Sequence, residues 1–341
     1  MVNTHIYKFI TRVKLDILTK YLLRKKLKII MYHGIIDDDV DMDCWWLIKK
    51  SKFLEQINYL NKNFNFISID HALESDTIFQ NTCVLTFDDG YKSVLTHAYP
   101  ILVEKNIPFT VYITTGPVEK GTFLWPDIVF AYLYKKKIEE KDQLKIRLDR
   151  YPKHYKIDKK NYIEAALSVL KRMDYRKRNA IIEELVNEDI FFIKTLKANG
   201  SPFEILSVSD VKKLAADSLV TIGAHSVNHE VLTIMPLDEA EREIRDSRAI
   251  LRDWTKRKIC HFSYPDGKFN KQLTNKVEQL GFKSASRIGL CVNWDIKRFE
   301  LCRVGTGSWD DDYEFRSMIN GIIPLKIGAK MFLRRLVKAY I

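Results

Sequence analysis

Five cysteines in 341 residues are too few, and odd in number, for a disulfide framework. They are Cys44, Cys83, Cys260, Cys291 and Cys302, and three lie in apolar, strand-like runs, so reduced thiols are expected. Long hydrophobic runs are also missing. Lys8, Arg12, Lys14, Lys20, Arg24, Lys25, Lys26 and Lys28 interrupt every apolar stretch of residues 1–28. No signal-peptide core forms, and nothing reaches the ~20 residues a bilayer span needs. These absences lead us to expect a cytoplasmic protein, peripheral at most on the inner face of the membrane.

Acidic residues are the minority charge, 44 against 56 Lys and Arg, a formal net charge of +12. An excess of that size suits acidic partners: phosphorylated lipid, anionic membrane or nucleic acid. The basic residues cluster at the two ends and in the middle of the chain, with no nucleic-acid-binding motif, so nucleic acid is not expected. Ile6, Phe9, Ile10, Val13, Ile17 and Tyr21 recur at helical spacing, making residues 1–27 a basic amphipathic segment. Residues 311–341 echo it, with Lys330, Arg334, Arg335 and Lys338 among Phe332, Leu336, Val337 and Tyr340. Contact with an anionic membrane is one expectation; helices packed on the body with solvated basic faces are the other.

Between these ends, residues 28–310 alternate strands with helices. Cys83–Phe87 is a short, continuously apolar run of the kind buried in a parallel sheet, and it ends in Asp88-Asp89-Gly90. Ligands bind at that end of the strands in parallel α/β folds. A surface Asp-Asp-Gly is also an ordinary turn. Here the pair follows a buried strand directly, and like charges so close demand a cation or a shared proton. Leu219–Ala224 is a second apolar run, ending in His225-Ser226-Val227-Asn228-His229. Two histidines four apart suit one divalent ion, and one Asp with two His leaves positions open for water, as a catalytic site requires. Alone, the histidine pair would read as two unrelated surface residues; the two strand-end motifs together are more specific.

Thr86-Phe87-Asp88-Asp89-Gly90 with His225-Ser226-Val227-Asn228-His229 resembles the polysaccharide deacetylases, the NodB-homology group also known as carbohydrate esterase family 4. The resemblance runs from about residue 28 to about residue 307. It implies a metal triad of Asp89, His225 and His229, with Asp88 as general base. It implies one divalent cofactor, zinc first, with cobalt, nickel or manganese as alternatives. The family's Leu-x-His motif, which supplies the general acid near the C-terminus, is missing after Arg303. Tyr32-His33, ending the strand Ile29–Tyr32, instead matches the circularly permuted biofilm-polysaccharide deacetylases and makes His33 the candidate acid. The Arg-x-Pro-Tyr motif is altered as well: Ser263-Tyr264-Pro265-Asp266 puts serine where arginine belongs. The backbone N–H of Asp266 can still hold an oxyanion, and Arg303 is the candidate substitute cation for Asp88.

Counting strands gives seven or eight, alternating with helices, so a distorted (β/α)7-8 barrel is expected, and the resemblance implies that it is of the NodB-homology type. Residues 118–208, charge-rich and nearly free of strand patterns, are expected to be a helical insertion that acts as a lid or recognises substrate. Tyr91, Trp125, Tyr264, Pro265 and Trp309 are the candidate substrate contacts; Trp45 and Trp46 also lie close to the motifs. The function so implied is removal of an N-acetyl group from an amino sugar in a polysaccharide or a lipid-linked glycan. A non-catalytic glycan- or lipid-binding module and a hydrolase of small amides are the alternatives.

Overall fold

In a computed structural model, the protein is described at residues 15–74, 79–135, 162–188, 200–308 and 311–326. Helix α1 (Leu15–Leu22) precedes β1 (Lys28–Tyr32) and the small parallel pair β2 (Gly34–Ile36) and β3 (Leu47–Lys49). Next come α2 (Lys50–Asn63), β4 (Asn65–Phe66), α3 (Ile69–Ala72) and β5 (Thr82–Phe87). A π-helical turn, Val94–Ala98, runs into α4 (Tyr99–Glu104) and β6 (Phe109–Ile113). Then follow α5 (Thr115–Lys120), α6 (Trp125–Lys135), α7 (Tyr162–Leu170), α8 (Tyr175–Glu188), α9 (Val208–Ala216) and β7 (Val220–Ala224). Last are α10 (Leu237–Thr255), β8 (His261–Ser263), α11 (Lys271–Gln279), β9 (Ser284–Ile288), β10 (Leu301–Gly305) and α12 (Asp312–Ile319).

Seven parallel strands close on themselves. The order β5, β6, β7, β8, β9, β10 returns through β1, which pairs with both β10 and β5. β4 extends β5 at its N-terminal end. This is the expected (β/α)7-8 barrel. Helices cover the outer face of the strands and side chains fill the lumen, so the strands are buried on both faces; all six residues of β5 are buried, while β8, β9 and β10 also carry buried polar residues, His261, Ser263, Ser284, Ser286 and Arg303. Every strand points the same way, which brings Asp88, His225 and His33 to one rim.

One expectation needs correction. Cys291 and Cys302 are joined as a disulfide, while Cys44, Cys83 and Cys260 are free. One bridge is still no framework, but it removes the thiol argument for a reducing compartment. Helix α12, in the segment expected to be a basic helical tail, packs on the body and buries Phe315, Met318 and Ile319 in the main core. Among the described residues no helix is long and apolar enough to cross a membrane. Residues 1–14 and 327–341, and with them about half of each basic segment, lie outside the described residues, as do Lys145–Leu148 and Trp309.

Candidate active site

β5 ends at Phe87, and the next two residues leave the barrel in different directions. Asp88 continues the strand, its N–H donating to the Tyr32 carbonyl of β1 (3.0 Å). Asp89 takes a left-handed conformation (φ 76°) and Gly90 another (φ 87°). A non-glycine residue held there is strained, and such strain collects at functional sites. The reversal separates the two carboxylates and gives each its own partners.

Asp88 faces a cation. Arg303 projects from the middle of β10 into the barrel, and its Nη1 and Nη2 each donate to one Asp88 oxygen at 2.6 Å. Both side chains are fully buried. Ser263, in the position where the family carries arginine, bridges them: it accepts from Arg303 Nη2 (2.7 Å) and donates to Asp88 Oδ2 (3.2 Å). The guanidinium thus reaches Asp88 from β10, not from the β8 strand that carries Ser263. Burial opposes ionisation of Asp88, and Arg303, His225 and His33 outweigh it, leaving its pKa below the usual carboxylate value.

Asp89 faces two imidazoles. Its Oδ1 lies 3.4 Å from His225 Nε2 and 3.2 Å from His229 Nε2, yet accepts no hydrogen bond of good geometry. The three ligand atoms fall within 4.8 Å of one another. Donors at 2.0–2.2 Å around a tetrahedral ion stand about 3.3–3.5 Å apart, so these spacings fit a shared cation better than direct pairing. His225 Nδ1 donates to the Ser263 carbonyl (2.8 Å), which turns the lone pair of Nε2 toward Asp89. Burial works against charge on both Asp89 and His225. Attraction prevails: His229 and then His225 hold the Asp89 carboxyl well below its usual range, and Asp88 and then Asp89 raise the His225 imidazole above its own.

The loop from His225 to His229 is clamped from two sides. Glu243 on α10 accepts the backbone N–H groups of Val227 (2.9 Å) and Asn228 (2.8 Å) and the Asn228 side-chain amide (2.7 Å). Gly116 of α5 donates to the Val227 carbonyl (2.7 Å), and a Cβ there would stand 2.7 Å from that oxygen, so the approach requires glycine. From the insertion, buried Arg178 holds Glu230 at 2.5 Å and lies over the Trp125 ring (4.2 Å). The Trp125 indole in turn donates to the His229 carbonyl (3.2 Å). Trp125, expected to touch sugar, thus corrects to a buried brace of the histidine loop. Tyr264 corrects likewise: it is fully buried, stacks on Phe269 and donates to the Phe299 carbonyl, and neither it nor Pro265 lines the cavity.

A cavity of about 310 Å3 opens over both carboxylates. His33, Trp45, Trp46, Tyr91 and Asp266 line it from the barrel. His33 stands edge-on to Trp45 (5.6 Å), and its Nδ1 has no partner. Burial lowers the His33 pKa, against the raising effect of Asp89 and Asp88. Asp266 sits in a left-handed turn (φ 55°) with its carboxylate held by Lys171 Nζ at 2.5 Å. Glu164, Leu167 and Ser168 of α7, with Lys171 one residue past its end, follow an i, i+3, i+4, i+7 spacing and form the opposite wall. Asp127 lies at the floor, accepting from Tyr91 Oη (2.9 Å to each oxygen) and Trp46 Nε1 (3.1 Å).

The profile of one protein family, polysaccharide deacetylase, matches residues 77–145 and 136–285, more than half of the chain. The chain belongs to the polysaccharide deacetylase family. That membership supports a hydrolase acting on the N-acetyl groups of a polysaccharide. His33 and Arg303 lie outside the matched span. They are supplied by β1 and β10, which close the ring beside β5. Solved structures share the fold. The deacetylase PplD of Streptococcus pyogenes, in complex with acetate, is 15% identical, with a TM-score of 0.57 over 86% of this chain and 98% of that one. IcaB from Ammonifex degensii is 16% identical, with a TM-score of 0.55 over 87% and 97%. A de-N-acetylase from Aggregatibacter actinomycetemcomitans is 14% identical, with a TM-score of 0.55 over 86% and 99%. No curated protein matches the chain.

Sequence reasoning missed Glu243, Arg178, Glu230 and Asp127. Glu243 left a trace, since it falls on the buried stripe of α10 with Ala240, Ile244 and Ser247. An acid on an apolar stripe demands a partner. Arg178 sits in a basic run and Asp127 in the first turn of a helix, both ordinary places for such residues.

Proposed function

We propose that the protein is a metal-dependent N-deacetylase of an amino sugar in an envelope polysaccharide or its lipid-linked precursor, with residues 28–310 as the catalytic body. The observation that carries this is the split of the two adjacent carboxylates, Asp89 to a pair of imidazoles and Asp88 to a guanidinium. Asp89, His225 and His229 would hold one divalent ion, zinc by the chemistry of an N2O donor set. Bound there, the ion supplies Lewis-acid polarisation of the acetamide carbonyl and of a water. Asp88, kept ionised and oriented by Arg303 and Ser263, takes a proton from the attacking water. The Asp266 N–H donates to the carbonyl oxygen as it becomes negative. His33 gives a proton to the sugar nitrogen as the C–N bond breaks, releasing acetate and a free amine; its lowered pKa makes it a strong donor once charged. Trp45, half-buried in the cavity wall, replaces Trp125 as the aromatic surface offered to the sugar, and Tyr91 lines the cavity but is buried with its hydroxyl on Asp127. The wall of α7 supports the expectation that the insertion recognises substrate. The basic character of residues 1–28 supports a peripheral contact with anionic membrane.

The test is acetate release from an N-acetylglucosamine oligomer and from a polyprenyl-phosphate-linked N-acetyl sugar, with and without chelator, alongside Asp88→Asn. Release should stop with chelator and fall by about 10²–10⁴ in Asp88→Asn while bound metal is unchanged. Metal bound but no acetate from either acceptor would point to another amide, and neither metal nor acetate to a binding module.

A further inference from the structure

Helix α1 docks on the body by its polar side. Asp16 is buried and accepts from Asn320 Nδ2 (3.1 Å), and Lys20 Nζ donates to Asn63 Oδ1 (2.8 Å). Its large apolar side chains face outward instead: Leu15 is 41% exposed, and Ile17, Leu18, Tyr21 and Leu22 are 53–63% exposed. At about 100° per residue these five fill one continuous arc of roughly 160°. For a helix that had only its own barrel to pack against, the hydrophobic effect would favour the opposite rotation.

The arc continues past the helix. Arg24 lies over the Tyr21 ring (3.9 Å), Lys25 is exposed, and Lys26 donates to the Trp294 carbonyl (2.8 Å) beside its indole. Trp294 is itself 55% exposed. The surface is therefore an apolar stripe with a tyrosine and a tryptophan at its edge and cations alongside. Lys8, Arg12 and Lys14 precede it in the sequence. Aliphatic side chains, amphipathic rings and lysines in that order match an anionic lipid interface: acyl region, head-group boundary and phosphate.

The position of the patch matters as much as its chemistry. α1 leads into the start of β1, where Leu27 bridges to Asn293, the neighbour of Trp294. Asp88, His225 and His33 lie at the strands' other ends. Five residues of β1 separate the two levels by about 16 Å.

We propose that α1 and Trp294 seat the enzyme on an anionic bilayer with the floor of the barrel down and the cavity opening away from the lipid. It would then work on glycan standing off the surface rather than on a sugar joined directly to a lipid phosphate. The docking stands on the patch alone; the consequence for substrate deepens the deacetylase reading and rests on it.

The full chain would be floated with vesicles of phosphatidylcholine alone or with phosphatidylglycerol, as wild type and as Leu18→Glu/Leu22→Glu. Wild type should float with the anionic vesicles, and the variant's partition should fall at least about tenfold. Its acetate release from a soluble oligomer should stay within twofold, showing that the barrel is intact. No flotation by wild type, equal flotation by the variant, or a self-association that the same two changes abolish would each overturn the docking. The orientation is tested with vesicle-anchored N-acetyl amino sugars on short and long spacers. Faster turnover on the long spacer is expected, and equal turnover on the two would refute it. Failure to release acetate from every acceptor, soluble ones included, would sink the deacetylase reading while leaving the flotation result standing.

Discussion

Replacing Arg303 with methionine should damage both the fold and the chemistry, by amounts the structure fixes. The guanidinium makes two 2.6 Å contacts to Asp88, one at 2.7 Å to Ser263 and one at 3.3 Å to Thr86, all out of water. Methionine keeps much of the volume and leaves Asp88 as a buried charge without its cation. Breaking a buried pair from one side costs about 3–5 kcal/mol. An unfolding entropy of about 2.1 cal/mol/K per residue, over 341 residues, gives about 0.7 kcal/mol/K, so Tm should drop about 4–7 °C. Asp88 has a depressed pKa in the folded state, so the pair contributes stability above the ordinary carboxylate value near 3.9, and that contribution is lost as pH falls below it. Melting curves of chelated wild type and Arg303→Met should therefore lie apart at pH 7 and converge below about pH 4. Adding Asp88→Asn should restore part of the loss, because no orphan charge remains. Curves that coincide at pH 7, or a gap that widens in acid, would refute this account of the pair.

His229→Ala should lose bound metal on dialysis while keeping the barrel, read by elemental analysis beside a melting curve. Glu243→Gln should weaken metal affinity about 10–100-fold in a chelator competition, since Glu243 orders the loop between the ligands without touching the site; an unchanged affinity would make it merely structural. Asp127 has its pKa raised well above the usual range by burial and by the charge of Asp89. The folded state then binds more protons than the unfolded one, so wild-type stability should decline as pH rises above about 4. Asp127→Asn should flatten that decline across a pH series of melts.

The barrel was legible because its signals are local. A buried parallel strand is a continuous apolar run, and β5, β6 and β7 lie where such runs occur. The two strand-end motifs were legible because polar residues at the end of such a run have one place to go. Arg303 could be named from the missing cation, but not the path by which it crosses the barrel, since Ser263 and Thr86 fix that path through space. Trp125 and Tyr264 misled because an aromatic beside a motif has the same sequence signature whether it braces a loop or faces a sugar. The two-sided clamp by Glu243 and Arg178 joins helices distant in sequence and left at most one odd residue on a stripe. Cys291 and Cys302, eleven residues apart, were not paired in advance because spacing alone does not say which strands bring two thiols together.

The closure of the ring by β1 and β10 has a consequence during synthesis. Asp88 and Arg303 are 215 residues apart. At 5–20 residues per second, a ribosome needs about 10–40 s to deliver the arginine after the aspartate has been made. Throughout that interval the growing chain holds an apolar strand tipped with two acids and lacks the cation that makes its burial tolerable. Assembly of the lumen therefore waits for the last strand, and a chain cut short before β10 would present β5 to chaperones and proteases rather than settle into a smaller enzyme.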